Sequence, residues 1–127
     1  MTQNEALDML KSGRNVFLTG EAGTGKTHVV REYMAWLLEH GRGFAVTAST
    51  GIAASHLMGS TLHSWCGLSP DDIGRVNSKW VKWKLENPKT GEWMAKRING
   101  TTVLIIDEIS MASSQLITDA EFICSEV

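Results

Sequence analysis

The chain has 127 residues, 43% of them hydrophobic and 20% charged, with a formal net charge of −2. These values fit one ordinary globular domain with a modest core. They exclude a membrane-crossing helix, which needs an apolar run of roughly 18 residues, and an overall cationic signature of nucleic-acid binding.

The elements follow in chain order. The opening residues Met1-Thr2-Gln3-Asn4-Glu5 form no basic, apolar leader, so secretion is not expected. Gln3 to Leu10 reads as a helix. Asn15-Val16-Phe17-Leu18-Thr19 is a short apolar run that predicts a buried strand ending at Gly20. Lys26 to His40 carries Val29, Val30, Tyr33, Met34, Leu37 and Leu38 at helical spacing, and Gly41 and Gly43 stop it. Phe44-Ala45-Val46-Thr47-Ala48 predicts a second strand, and Thr50 to Met58 a short helix after a tight turn. Ser69 to Gly100 is the least patterned region, with a turn at Asn87-Pro88-Lys89-Thr90-Gly91 between helical pieces. Thr102 to Ile106 is the strongest strand signal, and Ser113 to Glu126 closes the chain as a helix with Leu116, Ile117, Ala120 and Ile123 on one face. Strands alternating with helices predict an α/β domain with a mainly parallel sheet. Cys66 and Cys124 lack metal-ligand spacing and are expected as reduced thiols.

Three elements carry chemistry. The first is Gly20-Glu21-Ala22-Gly23-Thr24-Gly25-Lys26-Thr27, between a predicted strand and a predicted helix. Its glycines let successive backbone N–H groups turn inward on a polyphosphate, and the helix presents its positive end to the same anion. Lys26 can reach the terminal phosphates and the Thr27 hydroxyl can ligate magnesium. The pattern is that of a P-loop built for ATP and Mg²⁺. The second element is Leu104-Ile105-Ile106-Asp107-Glu108. Parallel strands deliver functional residues at their carboxyl ends. Asp107 would complete the magnesium shell, and Glu108 would polarise a water for attack on the terminal phosphate. No Asn-Lys-x-Asp guanine reader occurs, which favours adenine, and the Gln3 amide has the donor and acceptor to read its edge. The third element is Val46 to Ala54 followed by Gly59-Ser60-Thr61-Leu62-His63-Ser64-Trp65. Its hydroxyls suit either phosphate-backbone contacts or the capping of a helix, and both readings stay open.

The stretch from Arg75 to Arg97 holds Arg75, Lys79, Lys82, Lys84, Lys89, Lys96 and Arg97 against Glu86 and Glu92, with Trp80, Trp83 and Trp93 interleaved. Such a stretch can bind single strands by phosphate contact and stacking. An amphipathic helix pair with its tryptophans turned to the core takes precedence.

Together these segments resemble the Pif-one family of DNA helicases, the 5′-to-3′ branch of superfamily one, related to RecD. The resemblance runs through Gln3…Ala6-Leu7, Asn15 to Gly20, Ala22 to Thr27, Thr47 to Ala54, Thr61 to Ser64 and Leu104 to Met111. Asp71 to Trp93 fits the family poorly. The resemblance implies a RecA-like P-loop fold, with Gln3 on adenine and with Thr50, Gly51, His63 and Ser64 on single-stranded DNA. It implies a parent that couples ATP hydrolysis to movement along single strands and to unwinding at duplex junctions. That parent would serve DNA repair, recombination or telomere maintenance, without a membrane. It would sit in the cytoplasm beside the nucleoid of a prokaryote, or in the nucleus or mitochondrion of a eukaryote. The family pattern continues with a sensor strand, a second RecA-like domain and further arginines. Residues 1–127 therefore read as the N-terminal part of the first RecA-like domain, inactive alone. The strand that separates the phosphate-loop strand from the Asp-Glu strand is expected beyond Val127. A stand-alone nucleotide-binding module and an AAA-type ATPase are the alternatives.

Overall fold

The computed structural model describes residues 2–19, 25–49, 59–107, 109 and 113–127. They fall into two units, Met1–Gly43 and Phe44–Val127, taken here in turn. In the first unit, helix α1 (Gln3–Lys11) begins where Thr2 Oγ1 accepts the Glu5 amide at 3.1 Å. Glu5 in its first turn and Lys11 in its last complement the helix dipole. Helix α2 (Lys26–Glu39) buries Val29, Tyr33 and Leu37, a single stripe at four-residue spacing. That stripe and Ala6 of α1 form the unit's core, whereas neighbouring Leu38 is 70% exposed.

The strand expected at Asn15–Thr19 does not form. These residues join no ladder, and Phe17 is 71% exposed. An extended apolar run becomes a strand only when a neighbour accepts and donates its backbone hydrogen bonds. No described strand pairs with it.

The second unit is built on a three-stranded sheet in the order β2-β1-β3, with β1 (Phe44–Ala48), β2 (Ser60–Thr61) and β3 (Val103–Asp107) all parallel. Phe44 pairs with Val103 and Ala48 with Asp107, while Ala48 also pairs with Thr61 on the other side. The carboxyl ends of all three strands are therefore level. Buried Thr47 adds a cross-strand bond, its Oγ1 donating to the Ile105 carbonyl at 2.8 Å. Gly59 lets β2 come this close, because a Cβ there would collide with the Val46 carbonyl. β3 is an edge strand among the described residues, and all five of its residues are only half-buried.

After β2 come helix α3 (Leu62–Cys66), a 3₁₀ turn (Pro70–Asp72), and the hairpin of α4 (Ser78–Glu86) and α5 (Gly91–Asn99). Helix α6 (Ser114–Glu126) closes the unit, capped by Ser113 Oγ, which accepts the Leu116 amide at 3.1 Å. One apolar cluster unites them: Leu62, Trp65, Cys66 and Leu68 with Val81, Met94, Ile98, Leu116, Ala120 and Ile123. Asp119 is 97% buried with both oxygens used, accepting the Gly74 amide at 2.9 Å and the Gln115 amide group at 2.8 Å. It thereby ties the loop before α4 to α6. The α/β class and parallel sheet agree with the sequence. The short helix expected over Thr50–Met58 lies outside the described residues.

Candidate functional site

In the first unit the chemistry gathers around the start of α2. Gly25 caps this helix with φ +90°, a left-handed conformation that strains any residue with a Cβ. No cap side chain hydrogen-bonds to the first turn, and no carboxylate lies in it. The positive end of a 14-residue helix is thus left uncompensated by its own side chains. Lys26 and Thr27 are its first two residues, the lysine half-buried and the threonine exposed. Of the predicted phosphate loop, Gly20, Glu21, Ala22, Gly23 and Thr24 lie outside the described residues.

A cavity of about 400 Å³ opens beside this helix start. Gln3, Gly25 and Lys26, far apart in sequence, all line it. The Gln3 carboxamide lies directly against Gly25, where a Cβ would collide with Nε2. Sequence reasoning missed the rest of the wall, which is mostly apolar (Ala6, Met9, Val16, Phe17, Leu18 and Val29) with the hydroxyl residues Thr2 and Thr19. The available signal was the spacing of Gln3, Ala6 and Met9, which puts all three on one face of α1. Apolar walls with a single amide suit a flat heteroaromatic ring that must be both sandwiched and read at one edge.

In the second unit the predicted residues collect at the carboxyl edge of the sheet. Asp107 ends β3, level with Ala48 and Thr61. Two strand spacings, roughly 10 Å, separate Asp107 from Thr61. Thr61 Oγ1 caps α3 by accepting the Ser64 amide at 3.2 Å, so at this position the helix-capping reading of the hydroxyl cluster holds. His63 and Ser64 follow in the first turn, half-buried and exposed respectively. The Ser64 carbonyl accepts from Arg97 Nη1 at 3.2 Å. Thr50, Gly51 and Glu108 lie outside the described residues. Burial pushes the Cys66 thiol up from 9.0 to about 12.

The basic segment departs from its expected packing. Trp80 is half-buried beside the core, as an amphipathic helix requires. Trp83 is 59% exposed and Trp93 37% exposed. Neither Trp83 nor Trp93 is buried in the core: Trp83 lies mostly in solvent and Trp93 is partly exposed.

Comparison with known proteins identifies the family. The family model described as PIF1-like helicase matches residues 2–127. The chain is 46% identical over 111 residues to the ATP-dependent DNA helicase Pif1 of Psychrobacter sp. (strain PRwf-1), covering 87% of this chain and 16% of that protein. It is 39% identical to the ATP-dependent DNA helicase Pif1 of Bdellovibrio bacteriovorus, covering 94% of this chain and 25% of that one. The crystal structure of Pif1 helicase from Candida albicans superposes with a TM-score of 0.78 at 36% identity, over 97% of this chain and 27% of its own. The chain thus spans a quarter or less of these curated relatives. It belongs to the PIF1-like helicase family.

Proposed function

We propose that this chain supplies the ATP-binding end and part of the DNA track of a longer 5′-to-3′ DNA helicase. The carrying observation is the cavity that brings Gln3 together with Gly25 and Lys26 at the start of α2. In this reading the apolar wall holds adenine and Gln3 reads its edge. The α2 amides and Lys26 hold the phosphates. Magnesium fits the donor set. In this reading the Thr27 hydroxyl and the Asp107 carboxylate would supply the hard oxygens, as their sequence motifs suggest. A cation shared between phosphates and one or two side chains is the arrangement such donors allow. Bound there, the ion would neutralise charge on the phosphates. Glu108 follows Asp107 in sequence and takes the role of base toward the attacking water. Thr50, Gly51, His63 and Ser64 are assigned to the strand being translocated, which enters from a duplex junction.

The test uses the longer helicase. Lys26→Ala removes a charge-assisted phosphate contact and should lower DNA-stimulated ATPase turnover on the order of 10²-fold or more. Glu108→Gln keeps the shape of the side chain and loses the proton acceptor. It should bind ATP normally and turn over slowly. Turnover of the lysine variant within twofold of the parent would refute the phosphate assignment. A parallel loss of ATP binding in the glutamine variant would make Glu108 structural.

A further inference from the structure

The α4–α5 hairpin has no part in the ATP site, yet it carries the most cationic and aromatic surface of the second unit. We propose that it is a stacking surface for single-stranded DNA, continuing the track from Ser64 outward. The proposal rests on the helicase reading for the identity of the strand.

Trp93 is 37% exposed, and its ring is held in place by its own Nε1, which donates to the Lys89 carbonyl at 2.9 Å. Arg97 stands over that ring, Cζ 4.6 Å from the centroid. The same guanidinium donates to the Ser64 carbonyl at 3.2 Å. Ser64, Arg97 and Trp93 therefore form one continuous chain of contacts, leading from the assigned DNA residues onto the hairpin. Trp83, 59% exposed, repeats the arrangement on the other helix, with Lys84 Nζ 5.6 Å from its ring centroid. The solvent-exposed part of each ring can stack a base of any sequence, and the cation already held over the ring offers its charge to the adjoining phosphate.

Charge points to the same occupant. Lys79, Lys82, Lys84, Lys89, Lys96 and Arg97 stand on the hairpin against Glu86 and Glu92, and Lys82 lies 4.0 Å from Glu86. The whole chain carries a net charge of −2, so this positive surface is local rather than a reflection of composition. Burying two tryptophans would have satisfied packing alone. Leaving them in solvent beside cations suits a polyanion with flat bases.

The experiment measures the affinity of the chain for a fluorescent oligothymidylate by anisotropy, at low and moderate salt. The proteins compared are the parent sequence, Trp83→Ala/Trp93→Ala, Trp83→Phe/Trp93→Phe and His63→Ala. Both tryptophans are solvent-exposed, so the fold is expected to persist, and circular dichroism checks it. The double alanine variant should bind on the order of tenfold more weakly for each platform lost. The phenylalanine variant should recover most of that loss, because a smaller ring still stacks. If the alanine variant binds like the parent while His63→Ala weakens binding, the hairpin proposal is overturned and the helicase reading stands. If His63→Ala is silent and the tryptophans carry the affinity, the proposal stands and the His63–Ser64 assignment falls. Absence of binding by the parent sequence overturns the hairpin proposal and leaves the helicase reading to the ATPase test above.

Discussion

Val103–Asp107 and Asn15–Thr19 look alike in sequence, each a short apolar run leading into phosphate chemistry. The first becomes strand β3, paired along its whole length with β1. The second joins no ladder and exposes Phe17. Their difference is not one of propensity, since Val16, Phe17 and Leu18 are good strand formers. What differs is the supply of a neighbour. β1 is close in space to β3 and shares its core, whereas no described strand offers Asn15–Thr19 a partner. Strand formation is a property of a pair, and a sequence read one segment at a time cannot see the second member.

The comparison can be broken by stability measurements on the chain. Leu62 is fully buried under the carboxyl edge of the paired sheet, so Leu62→Ala should cost about 2–5 kcal/mol in urea denaturation. Thr47→Val removes the bond to Ile105 without changing shape and should cost about 1 kcal/mol. Phe17→Thr acts on the unpaired run and should change stability by no more than about 0.5 kcal/mol. A Phe17 cost comparable to that of Leu62 would show that the run is packed after all. Amide exchange sharpens the same contrast: Phe44–Ala48 and Val103–Asp107 should be protected while Val16–Thr19 exchange freely.

Much of the molecule was legible because its signals are local. The stripe Val29, Tyr33 and Leu37 declared α2, and Leu116, Ala120 and Ile123 declared α6, through spacing alone. Gly25-Lys26 declared a glycine-capped helix start because that geometry is fixed by neighbours in sequence. The two-residue strand Ser60–Thr61 was not legible. It is defined by its pairing with Thr47 and Ala48 and permitted by the bare approach of Gly59. The apolar wall around Gln3 was hidden for a related reason: Met9 of α1, the run Val16-Phe17-Leu18 and Val29 of α2 come from different segments and meet only once the unit folds. At Trp83 and Trp93 the preference for packing misled, since helical spacing does not say which face of a hairpin finds a core.

Nucleotide titration of the chain tests the central claim most directly, that Gln3, Gly25 and Lys26 form one ATP site within the first unit. Isothermal calorimetry with magnesium should give measurable ATP binding, weaker binding of GTP, and a loss on the order of tenfold or more in Lys26→Ala. Gln3→Ala should narrow the preference for ATP over GTP while leaving inorganic triphosphate binding unchanged. Equal affinity of the parent chain for ATP and GTP, with no effect of Lys26→Ala on either, would contradict the assignment of this cavity.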